Sequence, residues 1–295
     1  MQRSGSGAIR KMGLCAGLGL VMALSGCGEN GLFGGGGGFL AGRNAQVPLE
    51  QLDAAGIFQQ GEAELEAGNF AEAAAFYVEV ERLHPYSEWA SRGLIMATFA
   101  YYQAEDYDNT RIAAQRYLDF YPTEEDAAYA QFLLALSYYD QIDQVGRDQG
   151  VTFQALQALR DVIERFPDSE YAKDAILRFD LAFDHLAGKE MEIGRYYLRA
   201  RHYAAAINRF RVVVEQFQTT SHTPEALMRL VEAYLALGLT DEAQTAGAIL
   251  GYNFQSSPFY DDAFRQLTGQ NLTPEAAGEG WLRDIWRQTV RGDWL

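Results

Sequence analysis

The chain has 295 residues, 48% of them hydrophobic, and a formal net charge of −16. This length can bury a large core or a series of small stacked ones. The acidity argues against DNA or RNA as a partner, because phosphate binding needs a basic surface. Only seven prolines are present, and no Val/Ile/Thr alternation is sustained, which argues against an all-β protein.

The first 27 residues have the composition of a bacterial export signal. Three cations stand in the first eleven residues, and Met12 to Ala23 is an apolar run too short for a membrane span of about 20 residues. The run ends in Leu24-Ser25-Gly26-Cys27, which resembles a lipobox. We predict a signal peptide over 1–26 and a Cys27 that carries diacylglycerol and an N-acyl chain. The alternative is an ordinary secretory signal with an incidental cysteine.

Residues 27–48 read as a lipidated, glycine-rich tether. Gly34–Gly38 is an uninterrupted glycine run, and no Lys-Ser/Thr follows it as a phosphate loop would require. A flexible chain of about 20 residues spans roughly 25 Å. By resemblance to other lipoproteins, Gly28 after the cysteine favours sorting to the outer membrane. We therefore expect a folded part held near the periplasmic face of that membrane by its lipid.

The segment 187–219 is the clearest structural unit after the tether. It divides into two amphipathic stretches, Lys189–Arg199 and Tyr203–Phe217, joined by a turn of about three residues. Apolar residues of the second stretch recur at helical spacing, which excludes a strand. Gly194 and Ala206 are small enough to let the two helix axes approach closely. Such a pair cannot bury its apolar face alone and needs similar pairs beside it.

The same pattern recurs and predicts an all-α, tetratricopeptide-like helix-pair solenoid of five repeats over residues 49–258, three in 49–175 and two in 176–258. The small residues that mark the second helix of each pair are Ala73, Thr110, Ala155, Ala206 and Ala243. Their intervals of 37, 45, 51 and 37 residues all exceed the tetratricopeptide period of about 34 residues.

The two long intervals and the tail depart from this regular pattern. The interval of 45 residues contains a polar insert, Tyr139–Gln149, between the two helices of repeat three. The interval of 51 residues implies a longer or an additional helical segment over Ala172–His185. The tail 259–295 carries Trp281 and Trp286 five residues apart, and either a cap on the last repeat or a partly disordered tail fits this spacing.

The residues indicate a binding protein and not an enzyme. No nucleophile, base and acid stand in a catalytic order, and the four histidines lie in no metal-binding spacing. Cys15 leaves with the signal and Cys27 is lipidated, so we expect no disulfide, no metal and no cofactor beyond the lipid.

Charge and aromatic residues suggest two binding regions. Residues 50–130 contain 16 acidic and 4 basic residues, whereas residues 178–211 contain 7 basic and 4 acidic ones. The basic segment is either a solvated face or a docking patch for an acidic partner. Arg209 lies beside the apolar stripe, and we expect its guanidinium to point outward. Tyr101 and Tyr102 are consecutive, so we expect one of them to be exposed, and Tyr102 is the candidate for binding an aromatic-rich peptide.

Several stretches resemble the BamD family, lipoproteins of the β-barrel assembly machinery of Gram-negative bacteria. They are HPYSEWASRG (84–93), AYYQAEDYDNT (100–110), FYPTEEDAAYAQFLLALSYYDQI (120–142), ERFPDSEYAKDA (164–175) and GKEMEIGRYYLRARHYAAAINRF (188–210). The resemblance implies a non-enzymatic scaffold at the outer membrane. Its expected partners are the POTRA domains of BamA, other Bam lipoproteins and unfolded outer-membrane β-barrel proteins.

The resemblance also implies roles for individual residues. The BamA-binding residues would be those of the block in repeat four, namely Arg195, Tyr196, Tyr197, Asn208 and Arg209. Tyr86 and Tyr102 would contact substrate in the early repeats. Two alternatives remain open at this point. One is a tetratricopeptide lipoprotein that coordinates cell-wall or envelope maintenance, and the other is a lipoprotein hydrolase.

Overall fold

The computed structural model describes residues 48–142, 149–278 and 280–288, and all regular structure within them is helical. A short 3-10 helix, Leu49–Gln51, precedes the first pair. The helices are α1 (Ala54–Glu66), α2 (Phe70–Leu83), α3 (Trp89–Gln103), α4 (Tyr107–Phe120), α5 (Ala127–Tyr139), α6 (Gly150–Arg165), α7 (Glu170–Arg199), α8 (Tyr203–Gln216), α9 (Thr223–Leu237), α10 (Thr240–Asn253), α11 (Pro258–Thr268) and α12 (Trp281–Trp286).

Each helix from α1 to α10 packs against the next one along the chain, and the predicted all-α solenoid of helix pairs is confirmed. The core is a series of apolar clusters, one after another, that follow the stack from α1 to α12. Stacking is necessary because an amphipathic pair leaves one face of each helix uncovered.

Small residues set the distance between the two helices of a pair, as predicted for Gly194. A Cβ atom on Gly194 would lie 2.8 Å from Cδ1 of Phe210, whose ring is fully buried in the facing helix. Gly61 has the same relation to Tyr77 in the first pair, where a Cβ would lie 2.7 Å from Cε1. The aromatic ring therefore occupies the space of a missing side chain in both pairs.

The turns inside four of the pairs share one backbone conformation. The residue two positions before the second helix has a positive φ in each case, at Gly68, Glu105, Arg201 and Gly238. This left-handed region suits glycine, whereas a side chain there costs about 1–2 kcal/mol. Glu105 and Arg201 therefore hold strained backbone where the other two turns have glycine.

The extra residues of the 51-residue interval belong to a longer helix, α7, and not to an additional one. It is one continuous helix from Glu170 to Arg199 and not two segments. Its first half packs beside α5 and α6 through Ala175 and Phe179, and its second half packs on α8 through Met191 and Gly194. One helix thus completes repeat three and opens repeat four.

Two further segments can be placed. The polar insert begins where α5 ends at Tyr139 and closes where α6 begins at Gly150, and residues 143–148 lie outside the described part. The packed helices continue past Pro258, where the predicted repeats end, because α11 packs on α9 and α10, and α12 packs on α10. Leu267, Leu282 and Ile285 are buried there, so the described part of the tail covers the last repeat.

Among the described residues, no helix is long and apolar enough to cross a membrane. The predicted signal peptide 1–26, Cys27 and most of the tether lie outside the described residues.

Candidate partner-binding surfaces

An exposed aromatic residue marks the end of α7. Tyr196 stands seven residues before the start of α8, and Ala100 and Ala233 hold the same position before α4 and α10. Both alanines are fully buried, whereas Tyr196 is 61% exposed. Apart from their neighbours along the chain, α3 packs on α1 and α5 and α9 packs on α11, whereas α7 packs on α5 through its first half, where Ala175 lies. We call Tyr196, Tyr197, Asn208 and Arg209 the α7–α8 surface.

The sequence predicts that the guanidinium of Arg209 points outward, whereas in the structure it pairs with a carboxylate of the neighbouring helix. Its Nη1 donates to Oε2 of Glu190 on α7 at 3.1 Å. Glu190 lies two helical turns before Tyr197, so Arg209 pairs with the face of α7 that carries Tyr197. Asn208 beside it is exposed, and the ring of Tyr197 lies 5.6 Å from that of Tyr196. These four residues therefore belong to adjoining parts of one helix pair.

Most arginines of the basic segment pair with acidic residues of the same chain. Arg195 bonds Glu225 of α9 at 2.9 Å, away from the α7–α8 surface, and Arg211 bonds Glu215 at 2.8 Å. Arg199 and Arg201 are exposed, and neither has an acidic partner within the described part of the chain. The free positive charge therefore sits in and beside the α7–α8 turn, where Arg201 also holds the strained backbone.

The two tyrosines predicted to bind substrate do not lie together. Tyr86 is fully exposed in the turn between α2 and α3. Tyr102 stands near the opposite end of α3, about 20 Å further along the helix axis. The structure therefore places the two residues at separate sites.

The expectation that Tyr101 or Tyr102 is exposed is wrong, since both are half-buried. Tyr101 packs against the clusters of the first two repeats, and Tyr102 packs against the cluster of the third. The hydroxyl of Tyr102 donates to Oδ2 of Asp140 at 2.5 Å. Burial and this hydrogen bond raise the pKa of Tyr102 above its usual value, so its hydroxyl stays protonated. Neighbouring residues can both be covered here because helices pack on more than one side of α3.

Sequence patterns did not reveal the partner carboxylates of these sites. Glu190 and Asp140 lie 19 and 38 residues from the side chains that they bind, and local periodicity carries no signal for such pairs. No group of three or more His, Cys, Asp or Glu residues in the described ranges is arranged to hold a metal ion.

Stacked helix pairs with exposed aromatic and cationic groups define a tetratricopeptide-like binding scaffold.

Residues 50–249 match the family profile described as outer membrane lipoprotein, YfiO. A Caulobacter vibrioides protein named outer membrane protein assembly factor BamD is 50% identical over 218 residues, which cover 74% of this chain and 72% of that protein. The protein of that name from Rickettsia prowazekii is 40% identical, with coverages of 71% and 83%. The one from Neisseria meningitidis serogroup A is 29% identical, with coverages of 87% and 96%. The chain belongs to the BamD family, which confirms the resemblance found in its sequence.

Proposed function

We propose that this chain is a non-enzymatic, lipid-anchored scaffold for the assembly of outer-membrane β-barrel proteins. Membership of a family whose curated relatives are named outer membrane protein assembly factors supports this general role. The C-terminal repeats bind the POTRA region of BamA, and the N-terminal repeats receive unfolded barrel proteins. Other Bam lipoproteins complete the assembly.

The exposure of Tyr196 is the main observation that supports the proposed BamA-binding site. Its equivalents in repeats two and five are buried alanines, so a large ring that is 61% exposed replaces a small packed residue. Exposed tyrosine with nearby arginine is the composition of protein-binding hot spots. Arg199 and Arg201 add positive charge that has no acidic partner among the described residues, and this charge suits an acidic partner surface.

The role of Arg209 follows from its ion pair with Glu190. The side chain is 42% exposed and Glu190 is 20% exposed, so the pair contributes about 0–1 kcal/mol to folding. Arg209→Ala should therefore leave the fold stable. If Arg209→Ala loses more BamA affinity than this small contribution to folding, the loss comes from a direct contact of Arg209 or from the orientation that it gives to Glu190. Glu190→Gln distinguishes the two explanations, because it keeps Arg209 and removes the charge of its partner.

The experiment measures binding of the purified chain to the BamA POTRA region. We expect Tyr196→Ala and the double variant Arg199→Glu/Arg201→Glu each to weaken binding at least tenfold, about 1.4 kcal/mol. Tyr252→Ala is the matched control, because Tyr252 is 62% exposed on α10 and lies outside the α7–α8 surface. Equal binding by Tyr196→Ala and the parent chain would refute this placement of the interface.

The substrate site of the N-terminal repeats is tested separately. Tyr86 presents its whole side chain to solvent and is the better placed of the two candidates, whereas the Tyr102 hydroxyl is held by Asp140. A photoreactive residue at position 86 should crosslink to an unfolded barrel protein with an intact C-terminal segment. The same residue at position 153, where Phe153 is 59% exposed, provides the control. Equal crosslinking at both positions would remove Tyr86 from the site.

Anchoring is proposed to depend on Cys27. Cys27→Ser should abolish incorporation of labelled fatty acid and release the chain from the membrane fraction, because several acyl chains together make membrane binding effectively permanent. Retention of label in Cys27→Ser would contradict the lipidation site.

A further inference from the structure

The C-terminal helix α12 shows what a groove of this solenoid can bind. It lies in the groove between α8 and α10, which is floored by α9. Trp281 donates its indole N–H to the hydroxyl of Tyr234 at 3.1 Å, and the guanidinium carbon of Arg211 lies 4.9 Å from the Trp281 ring. Ile285 and Leu227 line the same apolar cavity of about 330 Å³. This groove therefore accepts a short amphipathic helix with an aromatic residue in its first turn.

A second groove has the same construction, and we call it the α2–α4 groove. It lies between α2 and α4, is floored by α3, and has a volume of about 510 Å³. Tyr101 stands six residues before α4, as Tyr234 stands six residues before α10. Leu94 stands thirteen residues before α4, as Leu227 does before α10. The same positions of the repeat thus line both grooves.

The α2–α4 groove is open where its counterpart is filled. Ile112, the sixth residue of α4, is 66% exposed. Thr245, the sixth residue of α10, is 1% exposed and its hydroxyl donates to the carbonyl of Ala277 at 2.7 Å. The hydroxyl of Tyr101 has no hydrogen-bond partner in the described ranges, whereas that of Tyr234 accepts from α12. An apolar side chain, Ile112, and a hydrogen-bonding group, the Tyr101 hydroxyl, are therefore both available in the α2–α4 groove.

One end of the α2–α4 groove is charged, whereas the same end of the α8–α10 groove is apolar. Glu81 and Arg116 face each other there and form an ion pair of 2.9 Å. The same positions of the α8–α10 groove hold the apolar Val214 and Ile249, beside Ile285 of α12. A helix that fits the α2–α4 groove therefore needs a polar residue where α12 has Ile285.

We propose that the α2–α4 groove binds a short amphipathic helix of a partner protein. That helix carries a tryptophan in its first turn, whose indole N–H donates to the Tyr101 hydroxyl, and an apolar residue next to it. A polar residue four positions after the tryptophan meets Glu81 and Arg116. The site lies apart from the α7–α8 surface and does not rest on the function proposed above.

The probe is a helix-stapled, fluorescently labelled peptide with the sequence of residues 280–288, GWLRDIWRQ, in which glutamine replaces Ile285. Its binding to the full chain in detergent micelles is followed by fluorescence anisotropy. We expect saturable binding, a loss of at least tenfold in Ile112→Asp, and a loss of about fivefold in Tyr101→Phe, which removes only the hydroxyl. Unchanged thermal unfolding by circular dichroism shows that these variants fold.

The matched control is Phe153→Asp, which places the same charge on another exposed apolar residue, 59% exposed on α6. It should bind the probe within about twofold of the parent chain. The unaltered peptide with Ile285 should bind more weakly than the glutamine probe, because its apolar side chain would desolvate the ion pair. Failure to saturate at about 1 mM peptide, equal binding by Ile112→Asp, an equal loss in Phe153→Asp, or a preference for the unaltered peptide would each overturn the proposal.

Discussion

Gly194→Ala is the sharpest test of how the helices of a repeat pair pack. The new Cβ would lie 2.8 Å from Cδ1 and 2.9 Å from Cζ of Phe210, where ordinary contacts are 3.4–4 Å. Phe210 is fully buried, so its ring cannot move away without displacing other core residues. Overpacking of this kind costs about 1–3 kcal/mol, and the better helix propensity of alanine returns about 1 kcal/mol. We expect a net loss of about 0–2 kcal/mol in the free energy of unfolding.

Urea unfolding followed by circular dichroism measures this loss, and a double-mutant cycle assigns it. Phe210→Leu removes the ring and leaves a smaller apolar side chain, so Gly194→Ala should cost at least about 1 kcal/mol less in that background than in the parent chain. If Gly194→Ala instead stabilised the parent chain by about 1 kcal/mol, alanine would be acting only through helix propensity. The close approach of α7 and α8 would then be refuted.

Three further changes test other features of the fold. Tyr77→Phe should stabilise the chain by about 1 kcal/mol, because the buried Tyr77 hydroxyl has no hydrogen-bond partner among the described residues. Burial raises the pKa of Tyr77 to about 12, whereas the unfolded chain has a tyrosine pKa of about 10. The parent chain should therefore lose stability as the pH rises from about 10 through 12, and Tyr77→Phe should lose less over the same range. Arg201→Gly and Glu105→Gly should each raise the urea midpoint by the equivalent of about 0.5–1 kcal/mol, because glycine removes the strain of a positive φ but makes the unfolded chain more flexible. Tyr102→Phe should cost about 1 kcal/mol in urea unfolding, since Asp140 loses its donor, and no change would show that this hydrogen bond adds nothing.

Local periodicity was sufficient to predict the helix pairs and the close contact at Gly194. Both depend on residues within about 20 positions of one another, at the spacing of a helical stripe. The three-residue turn between α7 and α8 was also predictable, since the apolar stripe stops and restarts around it. The partial burial of Tyr102 was not predictable, because helices from different repeats cover different sides of α3.

The sequence by itself determined the helical class, the repeat pattern and the family, since these follow from short-range spacing and from motifs that survive in related chains. Tertiary structure decided which side chains are available. It joined two predicted segments into α7, uncovered Tyr196, paired Arg209 with Glu190, and left Arg199 and Arg201 unpaired among the described residues. Exposure and ion pairing depend on which helix packs beside a given side chain. That neighbour can lie far along the chain, as Glu190 does, 19 residues before Arg209.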